Sequence, residues 1–367
     1  MRDYVVLYIN GRRTEVRGKH VFASLSDFLR YELGQTGTKV VCAEGDCGSC
    51  SVLLGRVIDN HPEYSPVCSC IQYLYQLDAA HVVTIEGLTC NHDPNRSMGV
   101  SPMSSGQGMD ETSTLREAAA LNPVQRAMVQ CQGAQCGYCT PGFVVAMHDL
   151  FDDGQPKEEP AIRRALTGNL CRCTGYEPIL QAASQVDASK IRRISDLYPT
   201  QEIAAELTEL SKDDVRVADG DRIFFKPTHA RDAAKFRGEH PNCTIITGGT
   251  DIGVQVNKGI RQISAVLDTH GLHALRKIQG TGDHLLVGAG ATLSELEESC
   301  KPHFPELARL LEYFGSPLIR NAGTLAGNLA NGSPIGDTLP PLFVMNAEIE
   351  LTNPTASRWV NINSFYT

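Results

Sequence analysis

The first ninety residues carry the periodicity of a small α+β domain. Apolar residues occupy alternate positions from Val5 to Ile9, and Asn10-Gly11 then supplies the positive-φ pair of a type I′ hairpin turn. A helix is predicted through Phe28–Leu33, and Ser51–Leu54 and His81–Ile85 predict further strands. We therefore assign residues 1–90 to one domain with a hairpin, a helix and additional strands.

Residues 91–222 change twice in the pattern of apolar and polar positions. Residues 91–118 lack apolar periodicity and are rich in Ser, Gly, Met and Pro, which predicts a flexible insertion or linker. Four of the prolines in residues 119–190, at positions 123, 141, 160 and 178, are each placed where a helix can begin and followed by an apolar run, so we predict four short helices. Residues 191–222 are polar, with one possible helix at Glu202–Leu210, and are assigned to a connector.

After Phe224 the pattern becomes short strands separated by glycine-rich turns. Cys243–Thr247 and Ala265–Leu267 predict strands, and Leu293–Cys300 predicts a helix. Residues 223–367 are therefore expected to form a separate α+β domain. The fold class that follows is an α+β multidomain protein.

Composition and charge narrow the class of protein. A hydrophobic content of 42% with 20% charged residues is typical of a folded globular chain. The net charge of −9 argues against a nucleic-acid partner, which needs clustered Lys and Arg. We find neither the apolar run of roughly 18 residues that a membrane helix needs nor a secretory pattern at the N-terminus. We therefore expect a cytoplasmic protein without a membrane partner, whose thirteen cysteines serve more often as metal ligands than as disulfides.

The first group of cysteines has the spacing of a plant-type ferredoxin. Cys42, Cys47 and Cys50 follow the C-x4-C-x2-C pattern, and Gly37, Gly45 and Gly48 permit positive-φ turns that aim backbone N–H groups at a cluster. A [2Fe–2S] cluster needs a fourth thiolate, and Cys68-Ser-Cys70 offers two candidates. A four-cysteine zinc site is the alternative, although it more usually shows two C-x2-C pairs.

The second group combines two cysteine pairs 31 residues apart. Cys136 and Cys139 form a C-x2-C pair, and Cys171 and Cys173 form a C-x-C pair. A proline-initiated helix follows each pair, which would direct a positive helix N-terminus at an anionic cluster. On spacing alone this group is compatible with either a [2Fe–2S] cluster or zinc.

Four segments together resemble the iron–sulfur half of the xanthine dehydrogenase (molybdenum hydroxylase) family. They are CAEGDCGSCSV, the CIQ…VVTIEGL region, GAQCGYCTPGF and GNLCRCTGYEPIL. The resemblance implies a β-grasp ferredoxin domain with one [2Fe–2S] cluster, followed by a four-helix domain with a second. It favours Cys70 over Cys68 as the fourth ligand of the first cluster, because Cys70 lies sixteen residues before Glu86 of the V-x-T-x-E-G motif. Gln135 matches the family glutamine that contacts the molybdopterin.

Two later segments, Ile245–Ile252 and Ile319–Asp337, are similar to the flavin-binding segments of the same family, in a domain of the PCMH type. The first alone, a strand that ends in Gly-Gly-Thr-Asp, is typical of a simple turn. Together they imply FAD, with Phe314 near its ring system. A Rossmann site is not supported, because the glycines at 288–293 lack the third position of GxGxxG. The implied FAD contacts are Ile245, Ile246, Thr247, Gly248, Gly249, Thr250, Asp251, Ile252, Phe314, Thr324, Leu325, Ala326, Gly327, Asn328 and Asp337.

The resemblance implies an electron-transfer subunit without catalytic residues of its own. The resemblance to xanthine dehydrogenase implies xanthine or hypoxanthine as the substrate. It would be hydroxylated at a Mo-molybdopterin centre on a large partner subunit of a hetero-oligomer. Electrons would pass through the two clusters to FAD and then to NAD. Family flavin domains continue well past Tyr366, so we expect the FAD-binding domain to be incomplete at its C-terminus. The alternatives are a carbon monoxide, aldehyde or N-heterocycle dehydrogenase, and a zinc-stabilised binding module without redox activity.

Overall fold

The computed structural model describes residues 1–58, 61–89, 121–281, 283–333, 335–353 and 355–366. The predicted insertion at 91–118 lies outside these residues, and so does Cys90. The fold is of the mixed α and β class predicted, with the secondary structure grouped in three successive parts of the chain.

The first part is built on a five-stranded sheet with the spatial order β2-β1-β5-β3-β4. Its strands are β1 (Val5–Ile9), β2 (Arg12–Val16), β3 (Ser51–Ile58), β4 (His61–Cys68) and β5 (Ala80–Val83). The β1/β5 pair is parallel and the other neighbours are antiparallel. One face packs on α1 (Leu25–Asp27) and on the π-helical turn Phe28–Glu32 that continues it. Ser24 caps α1 by accepting a hydrogen bond from the amide of Asp27.

Two local features of this sheet test the pattern-based prediction. Asn10 and Gly11 have φ values of 49° and 78°, which confirms the predicted type I′ turn. Strand β4 was not predicted, because Pro62 and Pro66 interrupt its pattern. It is an edge strand, and an edge tolerates prolines because one side of the strand makes no ladder hydrogen bonds.

The second part consists of the four predicted helices. They are α2 (Pro123–Gln130), α3 (Thr140–Phe151), α4 (Glu159–Ala165) and α5 (Glu177–Ser184), and each has Pro in its first two positions, as predicted. Their shared core includes Val124, Phe143, Met147, Ile162 and Ile179, all at most 2% exposed.

The stretch predicted to be a connector is more structured than its polarity suggested. It contains α6 (Ile194–Leu197) and α7 (Thr200–Ser211), whose Ile203 and Leu207 pack against Leu53 and Val83 of the first sheet. These helices therefore cover one face of that sheet. The stretch also contains β6 (Val215–Asp219), so its last residues belong to the following sheet rather than to a connector.

The third part holds a four-stranded sheet with the order β6-β7-β9-β8 and several short helices. Strands β7 (Arg222–Lys226), β8 (Thr244–Ile246) and β9 (Ala265–Asp268) are mutually parallel, and α8 (Ala230–Glu239) and α9 (Thr250–Asn257) accompany them. The hairpins β10/β11 (Ile278–Thr281, His284–Val287) and β12/β13 (Glu348–Thr352, Ser357–Asn361) stand apart from this sheet. The remaining helices are α10 (Leu293–Cys300), α11 (Pro305–Tyr313), α12 (Pro317–Arg320), α13 (Leu325–Asn331) and α14 (Leu339–Val344). The sequence predicted only one helix here, because the others are short and several are interrupted by Pro or Gly.

A buried ion-pair network joins the first and third parts. The carboxylate of Asp78 has no exposed side-chain surface and accepts hydrogen bonds from Arg2 at 2.8 and 2.9 Å and from Lys226 at 2.6 Å. Burial alone would raise the pKa of Asp78, but the positive charges of Lys226 and Arg2 outweigh it and hold that pKa below its ordinary value. Within the described ranges, no helix has the length and apolarity that crossing a membrane requires.

Candidate functional site

The first cysteine loop lies between α1 and β3 and is shaped by left-handed backbone. Ala43, Gly45 and Gly48 have φ values of 56°, 80° and 64°, as a loop that turns its N–H groups inward requires. Gly37 was predicted to be another such turn and is not among the positive-φ residues. It allows a close approach instead, since its amide donates to Glu86 at 2.8 Å and a Cβ would lie 2.5 Å from Ile85.

Five thiols converge at this loop, and two of them come from the end of β4. The β3/β4 register pairs Ser51 with Cys68, which carries Cys68 and Cys70 to the loop that ends at Cys50. The Cys70 thiol hydrogen-bonds with Cys42 and Cys50. The Cys68 thiol contacts Cys50 and donates to the carbonyl of Gly45 at 3.4 Å. Cys70 therefore bridges the loop ligands, and Cys68 lies at their edge.

The hydrogen bonds among these thiols favour a thiolate in the loop. The hydrogen bond from Cys70 lowers the pKa of Cys42 to about 4. The pKa of Cys70 is correspondingly raised by its bonds to Cys42 and Cys50. The thiolate is the form that binds iron or zinc, so a thiol with a lowered pKa is ready to act as a ligand at neutral pH.

The second group brings its four predicted cysteines together as two pairs. The sulfurs of Cys136 and Cys173 are 3.5 Å apart, and both side chains are exposed. Cys139 and Cys171 are buried and hydrogen-bond to each other. Burial and the bond to Cys171 raise the pKa of Cys139 to about 12. Burial opposes ionisation of Cys171 too, but hydrogen bonds from Thr174, whose hydroxyl lies 3.2 Å from the sulfur, lower its pKa overall. One side of the group therefore faces solvent and the other faces the protein.

Helix α3 begins at this group, as predicted. Cys139 is its N-cap residue, so the positive end of the helix lies at the thiols. Gln135, the predicted molybdopterin contact, is exposed beside Cys136 on the solvent-facing side.

The two cysteine loops contact each other directly, which the sequence pattern did not predict. The amide of Leu170 donates to the carbonyl of Cys47 at 3.0 Å, and Asn169 donates to the carbonyl of Gly48 at 3.1 Å. A Cβ on Gly142 would clash with the carbonyl of Gly48, so the N-terminus of α3 approaches the first loop at backbone distance. More than ninety positions along the chain separate the partners in each of these contacts, and no local pattern reports such a contact.

The two predicted flavin segments meet at their glycines. Ile245–Ile252 spans the end of β8 and the start of α9, and Thr324–Asn328 forms the cap and first turn of α13. A Cβ on Gly248 would clash with the carbonyl of Ala322, so only glycine permits this approach. Asn331 of α13 also donates to Asp251 of α9 at 2.9 Å.

The remaining predicted flavin residues lie close to this junction. Phe314 and Asp337 line the same open depression, of about 510 Å³. Thr338, next to Asp337, donates to Asn328 at 2.6 Å and so ties that region to the second flavin segment.

A smaller cavity lies between the first sheet and the flavin segments. It has a volume of about 160 Å³, and Thr247, Gly248 and Thr324 form part of its wall. Arg56 of β3 and Arg276 also line it, and neither was singled out from the sequence. Burial lowers the pKa of the Arg56 guanidinium to about 10, which still leaves it charged at neutral pH. Their basic character became relevant only when the fold placed them beside the flavin segments.

The donor sets fit the groups that the sequence predicted. Among the described residues, no group of three or more His, Cys, Asp or Glu side chains is placed to hold a single metal ion. In the second group the thiols approach in two pairs, Cys136 with Cys173 and Cys139 with Cys171, and in the first group Cys70 hydrogen-bonds to both Cys42 and Cys50. A [2Fe–2S] cluster takes two thiolates at each iron, so paired thiols meet its requirement. For a flavin, Gly249 has a φ of 68° and caps α9, which leaves the first-turn amides of α9 free of helical partners, as phosphate binding requires.

Two family models match the chain. Residues 111–184 match a "[2Fe-2S] binding domain", and residues 216–367 match an "FAD binding domain in molybdopterin dehydrogenase". The fold and these matches define an iron–sulfur flavoprotein component. The matched domains support an iron–sulfur and FAD-binding component of the molybdenum hydroxylase family.

The relatives include proteins of more than one activity. The chain is 25% identical to a xanthine dehydrogenase of Drosophila pseudoobscura pseudoobscura over 95% of its own length and 28% of the relative's. It is 27% identical to aldehyde oxidase 2 of Macaca fascicularis over 99% of its own length and 29% of the relative's. Among solved structures, quinoline 2-oxidoreductase from Pseudomonas putida 86 is 29% identical, with a TM-score of 0.36, over 51% of this chain and 93% of that chain. The chain thus spans less than a third of the curated relatives' length.

Proposed function

We propose that this chain is the electron-transfer subunit of a molybdenum hydroxylase, most similar to the small subunit of a xanthine dehydrogenase. The proposal includes two [2Fe–2S] clusters, one held by Cys136, Cys139, Cys171 and Cys173 and one held by Cys42, Cys47, Cys50 and Cys70. It also includes FAD on the two flavin segments and a large partner subunit that carries Mo-molybdopterin.

The observation that carries the proposal is that the three sites contact one another in series. The hydrogen bond from Leu170 to Cys47 joins the two cysteine loops. The first loop in turn reaches the third part of the chain, where a Cβ on Gly45 would lie 2.9 Å from Ile319, and a Cβ on Gly253 would lie 2.6 Å from the carbonyl of Ile71. Electrons that enter at the exposed side of the helical domain have a continuous protein path to the flavin segments.

The residues of this chain bind the redox groups and tune them. When bound, the clusters supply one-electron transfer and FAD supplies the exchange between one- and two-electron chemistry. The thiols ligate iron, the loop amides and the N-terminus of α3 stabilise negative charge, and burial excludes water from Cys50 and Cys70. The exposed Cys136 and Gln135 lie where a molybdopterin-bearing partner would dock.

Anaerobic reduction followed by EPR tests the relay. We expect two distinct S = 1/2 signals, four irons per chain and one flavin. A protein with stoichiometric zinc and no EPR signal would contradict the proposal and would favour the zinc-stabilised binding module.

In this proposal the substrate binds to the partner subunit, so the partner decides which substrate is used. We propose xanthine or hypoxanthine as the substrate and NAD as the acceptor, with an aldehyde, carbon monoxide or an N-heterocycle as the alternatives. In the complex with its molybdenum subunit, xanthine should reduce the clusters without NAD, and NAD should then reoxidise them. Reduction by an aldehyde but not by xanthine would assign the chain to the alternative activity. We also propose a cytoplasmic location, which cell fractionation would check.

A further inference from the structure

The fifth thiol at the first cysteine loop has no role in the ligand set just proposed. Cys68 is 1% exposed, and it lies at the end of β4 one residue away from Ser69, whose hydroxyl donates to the carbonyl of Cys50 at 2.7 Å. A buried thiol at this position is more than a core residue, because its sulfur contacts the sulfur of Cys50.

The contacts of Cys68 differ from those of the four proposed ligands. Among those ligands it touches only Cys50, whereas Cys70 touches both Cys42 and Cys50. Its S–H points into the loop and reaches the carbonyl of Gly45 at 3.4 Å. Cys68 therefore lies beside one ligand, and its sulfur is within hydrogen-bond reach of both the Cys50 sulfur and the Gly45 carbonyl, although its single S–H can serve only one of them at a time.

We propose that Cys68 is a positioning residue that donates a hydrogen bond to the Cys50 sulfur and raises the reduction potential of the first cluster. This inference rests on the proposed [2Fe–2S] cluster at Cys42, Cys47, Cys50 and Cys70. With Cys50 ionised and ligating, its sulfur is the strongest acceptor within reach of the Cys68 S–H. Hydrogen bonds to ligand sulfurs favour the reduced state, because reduction adds negative charge that the donor stabilises.

Cys68 lies on the side of the first cluster that is nearest the flavin domain. Cys68 packs in one apolar cluster with Cys50, Cys70, Ile71 and Leu318, and Ile319 lies against that cluster. Leu318 and Ile319 belong to the flavin domain, and Ile71 contacts that domain at Gly253, so this apolar cluster lies where the first and third parts meet. Because the site is apolar, a hydrogen bond there is little weakened by water. The donor therefore acts on the cluster at its flavin side, where a higher potential decreases the driving force for electron transfer to the flavin and favours electron storage on the cluster.

Potentiometric titration with EPR detection of the full chain tests the proposal with a matched pair of variants. Cys68→Ala removes the donor, and Cys68→Ser keeps a donor of similar size. We expect Cys68→Ala to lower the midpoint potential of the first cluster by about 59 mV. For a one-electron couple, this shift corresponds to a tenfold change in the ratio of oxidised to reduced cluster at a fixed potential. Cys68→Ser should stay closer to the wild-type potential, and the second cluster should not shift in either variant.

Two controls separate this inference from structural effects and from the proposed function. Cys243→Ala removes a buried thiol of the third part and should leave both potentials unchanged. If Cys68→Ala does not fold, Cys68→Val fills the site without a donor and should show the same lowered potential. An unchanged potential in Cys68→Ala, with its EPR signal intact, would overturn the inference alone. Loss of the first cluster's EPR signal in both Cys68 variants would show that Cys68 is a ligand and would overturn the inference. A wild-type chain that shows neither EPR signal would refute both the proposed function and this inference.

Discussion

At the scale of single residues, the structure distinguishes side chains that the sequence leaves equivalent. Cys68 and Cys70 are two residues apart and both are buried, yet only Cys70 contacts two of the loop cysteines. The alternation of a strand would direct positions 68 and 70 to the same face, so periodicity does not separate them. A turn of 3-10 helix at Ser69–Ile71 ends the strand and gives the two thiols different directions.

Replacement of Cys70 should therefore remove one cluster. We expect Cys70→Ser to lose one of the two S = 1/2 EPR signals, because Cys70 hydrogen-bonds to both Cys42 and Cys50, and no other thiol among the described residues does so. Cys68→Ser, the matched control two residues away, should keep both signals. The opposite pattern would assign the fourth ligand to Cys68.

Asp78 should make the stability of the first part depend on pH. Its folded-state pKa is held below the ordinary 3.8, so its contribution is fully present above about pH 4 and is lost as the pH falls through the folded-state pKa. At pH 7 we expect Asp78→Asn to lower the free energy of unfolding by about 3–5 kcal/mol, since the buried Lys226 would be left without its counter-charge and Arg2 would keep only Asp213. The difference from wild type should shrink in acid.

Denaturant unfolding at pH 7 and below pH 4 measures both effects. Asp187→Asn is the control, because Asp187 is an exposed carboxylate that pairs with Lys190 and should have no measurable effect. A variant of Asp78 as stable as wild type at pH 7 would show that the network contributes nothing to the junction.

At the scale of elements, the junction of the two cysteine loops depends on backbone approach rather than on side chains. The N-terminus of α3 and the loop after α4 both contact the first cysteine loop, and neither Gly48 nor Gly142 has room for a Cβ. Gly48 in addition has a positive φ. The absence of a side chain at Gly142 therefore lets the N-terminus of α3 approach the first cysteine loop.

A methyl group at position 142 should separate the loops. Gly142→Ala would clash with the carbonyl of Gly48, and we expect the two clusters to move apart and their magnetic coupling to weaken. EPR power saturation measures this, because a cluster relaxed less by its neighbour saturates at lower power. Gly238→Ala in α8 is the control, since its Cβ would meet no atom within 4 Å and alanine favours a helix. Equal saturation in wild type and Gly142→Ala would contradict the prediction.

At the scale of the whole molecule, charged side chains connect the helical part to the flavin part. Arg164 of α4 pairs with Glu297 of α10 and with Glu312 of α11. Glu297 is buried and also lies 3.4 Å from Arg320, which donates to the carbonyls of Phe314 and Gly315 at 3.3 and 2.8 Å. The network therefore links the helical domain to the loop that presents Phe314.

Neutralising the buried carboxylate should loosen that link. We expect Glu297→Gln to destabilise the third part by roughly 1–3 kcal/mol, because the buried guanidinium of Arg320 loses its counter-charge. Hydrogen exchange should become faster in α4 and in α10 to α12 together. Glu298→Gln, at the adjacent exposed position that pairs with Lys301, should not change exchange at α4. Faster exchange confined to α10 would show that Glu297 acts only within its own helix.

Much of the fold was predictable because its information is local. The Asn-Gly turn, the proline-initiated helices and the ferredoxin spacing of Cys42, Cys47 and Cys50 each depend on a few consecutive residues. Strand β4 and the short helices of the third part were missed, because tertiary pairing and packing override weak local preference. The helix predicted at Glu202–Leu210 is confirmed as α7, but the stretch was assigned to a connector, whereas the apolar residues of α6 and α7 cover the first sheet.

The sequence by itself determined which thiols cluster along the chain, which segments resemble flavin loops, and the family that both indicate. Spacing carries that information because a ligand loop is short. Only the tertiary structure decided that Cys70 bridges the loop thiols while Cys68 flanks them, that Leu170 bonds to Cys47, and that Glu297 joins two domains. These contacts join residues far apart along the chain or depend on side-chain direction, and the packing of the folded chain specifies both.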